Sequence, residues 1–120
     1  MSIDKHQELK NRTKMFALRI IKMSEALPKT RAANVISNQI LRSATSMAAN
    51  YRAVGRARSK AEFVSKLGVV LEEADETVFW LEMLVDSEIV RKEKMVELLG
   101  EASQPVLIFS ASRSTAKACL

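Results

Sequence analysis

Gln39–Arg52 reads Q-I-L-R-S-A-T-S-M-A-A-N-Y-R, and Glu72–Leu84, E-E-A-D-E-T-V-F-W-L-E-M-L, answers it. The first stretch lacks glycine and proline and places small residues, Ser43, Ala44, Ala48 and Ala49, where a neighbouring helix can come close. Gln39, Arg42, Ser46, Asn50 and Ala53 recur at steps of three or four, so they share one side of a helix. The second stretch carries acids and aromatics at helical spacing. The pair predicts two packed helices with a polar seam.

Working outward, each further segment also reads as helix. Leu9, Phe16, Ile20, Met23 and Leu27 form an apolar stripe, opened by Asp4 with Gln7 three residues on, a capping-box spacing, and ended by Pro28. Thr30 caps a second helix through Val35, Ile36, Ile40, Met47 and Tyr51 to about Val54, where Gly55 is expected to stop it. Ser59 with Glu62 marks the clearest start. Phe63, Leu67, Val70, Leu71, Ala74, Val78, Leu81 and Leu84 follow. After a weakly signalled break at Asp86–Arg91, Met95, Leu98, Leu99, Ala102, Val106 and Phe109 continue to about Lys117, with a kink expected at Pro105. Three glycines, two prolines and no Asn-Gly or Asp-Gly pair leave little for a β-fold. The expectation is all-α, an up-down-up-down antiparallel four-helix bundle forming one domain over 1–120.

Composition bounds the setting. No apolar run approaches the roughly 20 residues that span a bilayer, so no membrane partner is expected. The polar Met1–Leu9 segment does not read as a secretory signal. A lone Cys119 cannot close an internal disulfide, and a reducing cytoplasm is expected. Charge is uneven: residues 1–60 hold 13 Lys/Arg against 3 Asp/Glu, and residues 61–120 hold 6 against 11. No acid falls between Glu25 and Glu62. Such a split suits a nucleic-acid surface, attraction between halves of the bundle, or pairing between subunits. The sequence leaves all three open.

Catalytic and metal chemistry find little support. His6, the single histidine, is expected to be solvated or capping, and Cys119 has no ligand partner in sequence. Scattered glycines build no phosphate loop. Glu73 and Glu76 share a face, but the Glu-x-x-His pattern of di-metal bundles is absent. Neither a catalytic residue, a metal nor a cofactor is expected. The polar constellation is Arg42, Ser46 and Asn50 facing Glu73, Glu76 or Thr77, either as a core network that sets helix register or as a wet interface or pore lining.

Basic rows supply the binding expectation. Lys5, Arg12 and Arg19 fall seven apart with Lys22 beside them, and Arg52, Arg56, Arg58 and Lys60 crowd the second turn. Rows of this kind neutralise phosphates without reading bases. Tyr51 is the one aromatic nearby, so stacking on single strands is not expected. A protein–protein scaffold is the competing expectation, its basic half meeting a neighbour's acidic half.

Taken together, R-S-A-T-S-M-A-A-N-Y-R at Arg42–Arg52, S-K-A-E-F at Ser59–Phe63, E-E-A-D-E-T-V-F-W-L at Glu72–Leu81 and I-F-S-A-S-R-S-T-A-K at Ile108–Lys117 resemble the bacterial proteins related to those encoded by intervening sequences in 23S ribosomal RNA genes. The resemblance implies a compact helical bundle without enzymatic activity, assembled as a homo-oligomer, a five-subunit ring being favoured. It also implies possible partners, RNA, DNA or a protein, through a distant branch that accompanies diversity-generating retroelements. One feature departs from the family pattern: Ala53 stands where a glutamate is usual. Gly68 is odd on helix propensity alone, a mid-helix glycine costing about 1 kcal/mol against alanine.

Overall fold

The computed structural model describes the backbone of residues 3–120 and the side chains of residues 5–120. Four helices follow in order: α1 (Ile3–Glu25), α2 (Arg31–Val54), α3 (Lys60–Asp86) and α4 (Lys92–Ala118). No strand occurs among the described residues. The longer helices, at about 1.5 Å per residue, run roughly 40 Å, most of the 46 Å length of a body 22 × 21 Å across. Short connections make sequence neighbours antiparallel, giving the up-down-up-down bundle.

Thr30 and Ser59 cap as expected: their hydroxyl oxygens accept the backbone N–H of Ala33 (3.2 Å) and Glu62 (3.1 Å). The Asp4 cap lies outside the described side chains. The break before α4 is faint in sequence because Arg91 stands at the N-cap and its side chain makes no capping hydrogen bond. Instead the chain turns through Glu88 at φ 64°, and Val90 N–H reaches back to the Leu84 carbonyl at 3.1 Å. Pro105 removes one backbone donor, yet α4 continues through it to Ala118.

One hydrophobic core draws on all four helices: Leu9, Phe16 and Ile20, then Ile36, Ile40, Met47 and Tyr51, then Leu67, Val70, Leu81 and Leu84, then Met95, Leu98 and Phe109. Val35, expected in the apolar stripe, is instead exposed. The buried face of α2 instead includes Ala33 and Ala44. The α2–α3 seam packs most densely, α3–α4 and α1–α2 follow, and α1 barely touches α4. α1 and α4 are the most widely spaced neighbouring pair, and side chains span that edge, leaving Leu9, Phe16 and Phe109 covered.

Two glycines receive their reasons here. Gly55 follows α2 with φ −65°, so no left-handed turn requires it. A Cβ there would lie 2.5 Å from Nε2 of His6, so Gly55 makes room for an imidazole from α1. At Gly68 a Cβ would meet the Arg113 side chain at 3.1 Å, and Arg113 Nε donates to the Val64 carbonyl at 3.2 Å. The mid-helix glycine lets an arginine from α4 lie across α3.

Candidate nucleic-acid interface

Of the seven basic residues expected to act together, two face α4, four converge at one pole and Lys22 stands apart. Arg12 donates to Gln104 Oε1, and Arg19 Nη2 to Glu97 Oε1 at 3.3 Å, both reaching across to α4. Arg19 Nη1 also lies 2.9 Å from Glu101 Oε1. That oxygen is buried without an aligned donor, so charge rather than a directed hydrogen bond holds it. In the middle of the α1 row Arg19 thus faces carboxylates of its own chain, and Arg12 a neutral amide. Lys22, in the last turn of α1, is exposed and lies outside both groups.

Lys5, Arg52, Arg56 and Arg58 converge instead. α1 begins where α2 ends: His6 Nδ1 lies 3.2 Å from the Tyr51 hydroxyl, and its ring sits on Gly55. Lys5 and Lys60 line one cavity together with Thr115 and Cys119, which brings the start of α3 and the end of α4, with Lys117, to the same pole. All six cations are exposed. Arg58 leans toward Glu62 at 3.6 Å, a solvated pair of small consequence. The cationic pole thus joins residues more than one hundred positions apart.

Lys10 and Lys14 escaped the sequence reading. They flank Arg52 along a groove of about 440 Å³ between α1 and α2, whose walls include Ala17, Ala48 and the exposed Leu18 and Ile21. The available signal was the absence of any acid on α2, which leaves α1's lysines facing a wall without a carboxylate.

Tyr51 is fully buried, stacked on Phe109 with centroids 4.9 Å apart. Burial pushes its phenol up to about 12. The aromatic nearest the basic cluster is therefore core, and His6, expected to be solvated or to cap, is a packing residue. Burial, then the nearby Lys10, holds its imidazole below the usual histidine range.

The α2–α3 polar residues lie in two layers. At the surface Arg42 Nη2 reaches Glu76 Oε1 at 3.4 Å, and Trp80 Nε1 donates to the same oxygen at 3.3 Å. Asn50 Nδ2 donates to the Ser46 hydroxyl at 3.0 Å and its carbonyl at 2.8 Å. Ser46 in turn bonds the Glu73 carboxylate, whose Oε2 is buried with no partner. Burial, then Glu76, raises the Glu73 carboxyl above the usual range, while Arg42 and Ser46 oppose the rise. Beneath this layer Thr77 Oγ1 donates to Ser43 Oγ at 2.8 Å, and both residues are buried. Of this deepest inter-helix link, Thr77 belongs to the polar face expected from sequence, whereas Ser43 reads there only as a small-residue position.

A family model for the 23S rRNA-intervening sequence protein matches residues 5–108. This chain belongs to that family. A crystal structure described as a protein of unknown function from the S23 ribosomal protein family of Bacteroides thetaiotaomicron VPI-5482 superposes with a TM-score of 0.83 at 33% identity. The match covers 92% of this chain and 98% of that one. No curated protein matches. The family's 5–108 segment contains five of the six cations at the pole and both layers of the α2–α3 seam. Among the described residues no cluster of three metal-ligating side chains occurs, and no helix is long and apolar enough to cross a membrane.

Proposed function

We propose that this protein is a non-enzymatic nucleic-acid-binding protein that acts as a homo-oligomer, and that Lys5, Arg52, Arg56, Arg58, Lys60 and Lys117 contact phosphates. The supporting observation is the cationic pole, assembled from the ends of four helices and exposed throughout. Exposed lysines and arginines without a stacking aromatic favour backbone contact over base reading. The lone Cys119 suits a reducing cytoplasm.

Binding of RNA and duplex DNA, followed across a salt series, tests this. Affinity falls steeply with salt and varies little with sequence. Arg52→Gln, Arg56→Gln, Arg58→Gln and Lys60→Gln combined flatten the duplex slope by up to four contacts, roughly 0.9 each. Arg12→Gln with Arg19→Gln leaves it nearly unchanged, because those groups answer α4. A parent that binds neither nucleic acid at low salt overturns the reading.

A protein-only scaffold is the second reading. It is favoured by Phe79, half exposed beside the acids of α3, and by Leu18 and Ile21 in the basic α1–α2 groove. Unlike faces of this kind suit a head-to-tail contact that closes into a ring, five subunits following from the family resemblance.

A further inference from the structure

We propose that Arg113 is a further phosphate contact at the edge of the cationic pole, its guanidinium positioned by Gly68 for a two-pronged grip; the inference rests on the nucleic-acid reading above. Because Gly68 has no side chain, the guanidinium lies across α3, where a Cβ would stand 3.1 Å from Nε and 3.4 Å from Nη2. Nε donates to the Val64 carbonyl at 3.2 Å. The bare helix surface and that carbonyl together fix one edge of a group that would otherwise swing on a long stem.

What the fixed group still offers is unpaired. Val64 takes the Nε proton, and the N–H groups on Nη1 and Nη2 have no partner among the described residues. Arg19, Arg42 and Arg58 each reach a carboxylate, whereas Arg113 forms no ion pair, not even with Glu72 one turn beyond Gly68. Its cationic neighbours follow from helix register. Lys117 stands one turn from Arg113 on α4 and Lys60 one turn from Val64 on α3, roughly 6 Å along each axis. The two helices are antiparallel, so both turns lead toward the same pole. Paired Nη groups match two oxygens of one phosphate, a geometry that a lysine ammonium cannot supply. Arg113 therefore orients a backbone that the exposed lysines and arginines only attract.

Binding of duplex DNA across a salt series, with helical circular dichroism matched to the parent, tests the assignment. Arg113→Gln weakens binding about tenfold near 0.1 M salt and flattens the slope by about 0.9, the signature of one phosphate contact. Arg113→Lys keeps the slope, because the charge remains, yet binds several-fold more weakly. Gly68→Ala changes no charge and gives the same pattern, since its methyl displaces the guanidinium. Added to Arg113→Gln, Gly68→Ala has no further effect on binding. A parent that binds no nucleic acid at low salt overturns the nucleic-acid reading itself, and this inference with it. A parent that binds, with Arg113→Gln unchanged in affinity and slope, overturns this inference alone and leaves Arg113 a packing residue. Parent-like affinity in both Arg113→Lys and Gly68→Ala also overturns it, because charge without a fixed fork would then suffice.

Discussion

Gly55 and His6 make one unit. Gly55→Ala places a methyl against an imidazole that Tyr51 pins from the other side, so the ring must move and its hydrogen bond is lost, costing about 1 kcal/mol. The backbone at φ −65° accepts alanine, so in a His6→Ala background the same change stabilises by about 0.4–1 kcal/mol. Chemical denaturation of the four proteins checks the reversal; two independent, same-sign effects would refute it. The neutral imidazole also carries a pH signature. Its folded pKa lies below the unfolded 6.5, so the unfolded state takes up the proton first, and stability is lost as pH falls below 6.5. His6→Gln removes that slope. Glu73 has the opposite sign, because its folded pKa lies above 4.5 and the ionised form is disfavoured. Glu73→Gln raises the melting temperature at pH 7, and the gain fades as pH approaches 4.5. Equal melting of Glu73→Gln and parent at pH 7 would show the carboxylate to be well solvated.

Among the elements, α1 is the loosest member. It packs most closely on α2, and its ion pairs to α4 join a half-exposed Arg19 to the exposed Glu97 and the half-buried Glu101, the exposed pair being of a kind worth under about 1 kcal/mol. α3, by contrast, lies between two dense seams and carries the Ser43–Thr77 bond at the inner one. Native-state hydrogen exchange should therefore show α1 amides opening at lower free energy than the middle of α3. Equal protection would mean that α1 is held as firmly as α3, by a second subunit or by its side-chain contacts with α4.

For the molecule as a whole, charge and leftover apolar surface point outward in different directions. Cations gather at one pole and along the α1–α2 groove, whereas the acids of α3 surround a half-exposed Phe79 that packs edge-on against Trp80, centroids 4.9 Å apart. If α3 docks into a neighbour's groove, Phe79→Ser reduces the mass measured by light scattering after size exclusion toward the 13.4 kDa protomer, with melting within about 0.5 kcal/mol of the parent, as for other surface changes. An unchanged mass would place the contact elsewhere, and a parent already monomeric at micromolar concentration would remove the ring altogether.

Helix number, their limits and most of the core followed from local rules: apolar residues at helical spacing, Thr30 and Ser59 as caps, Pro28 as a stop. Those rules act over three or four residues, and the chain alone contains everything they need. Val35, Gly55 and Arg19 could not be placed in that way. Val35 fits the apolar pattern yet faces solvent, because neighbouring helices cover only part of α2. Gly55 reads as a helix terminator until a side chain forty-nine positions earlier is seen resting on it. Arg19 belongs to a basic row in sequence and to an acidic partner in space, 78 residues away along the chain from Glu97. Conversely, Lys5 and Lys60 come together only because antiparallel helices return their ends to one pole. Local spacing determined the elements; which charges remain available to a ligand was decided by the packing of helices against one another, since that sets each cation's nearest carboxylate.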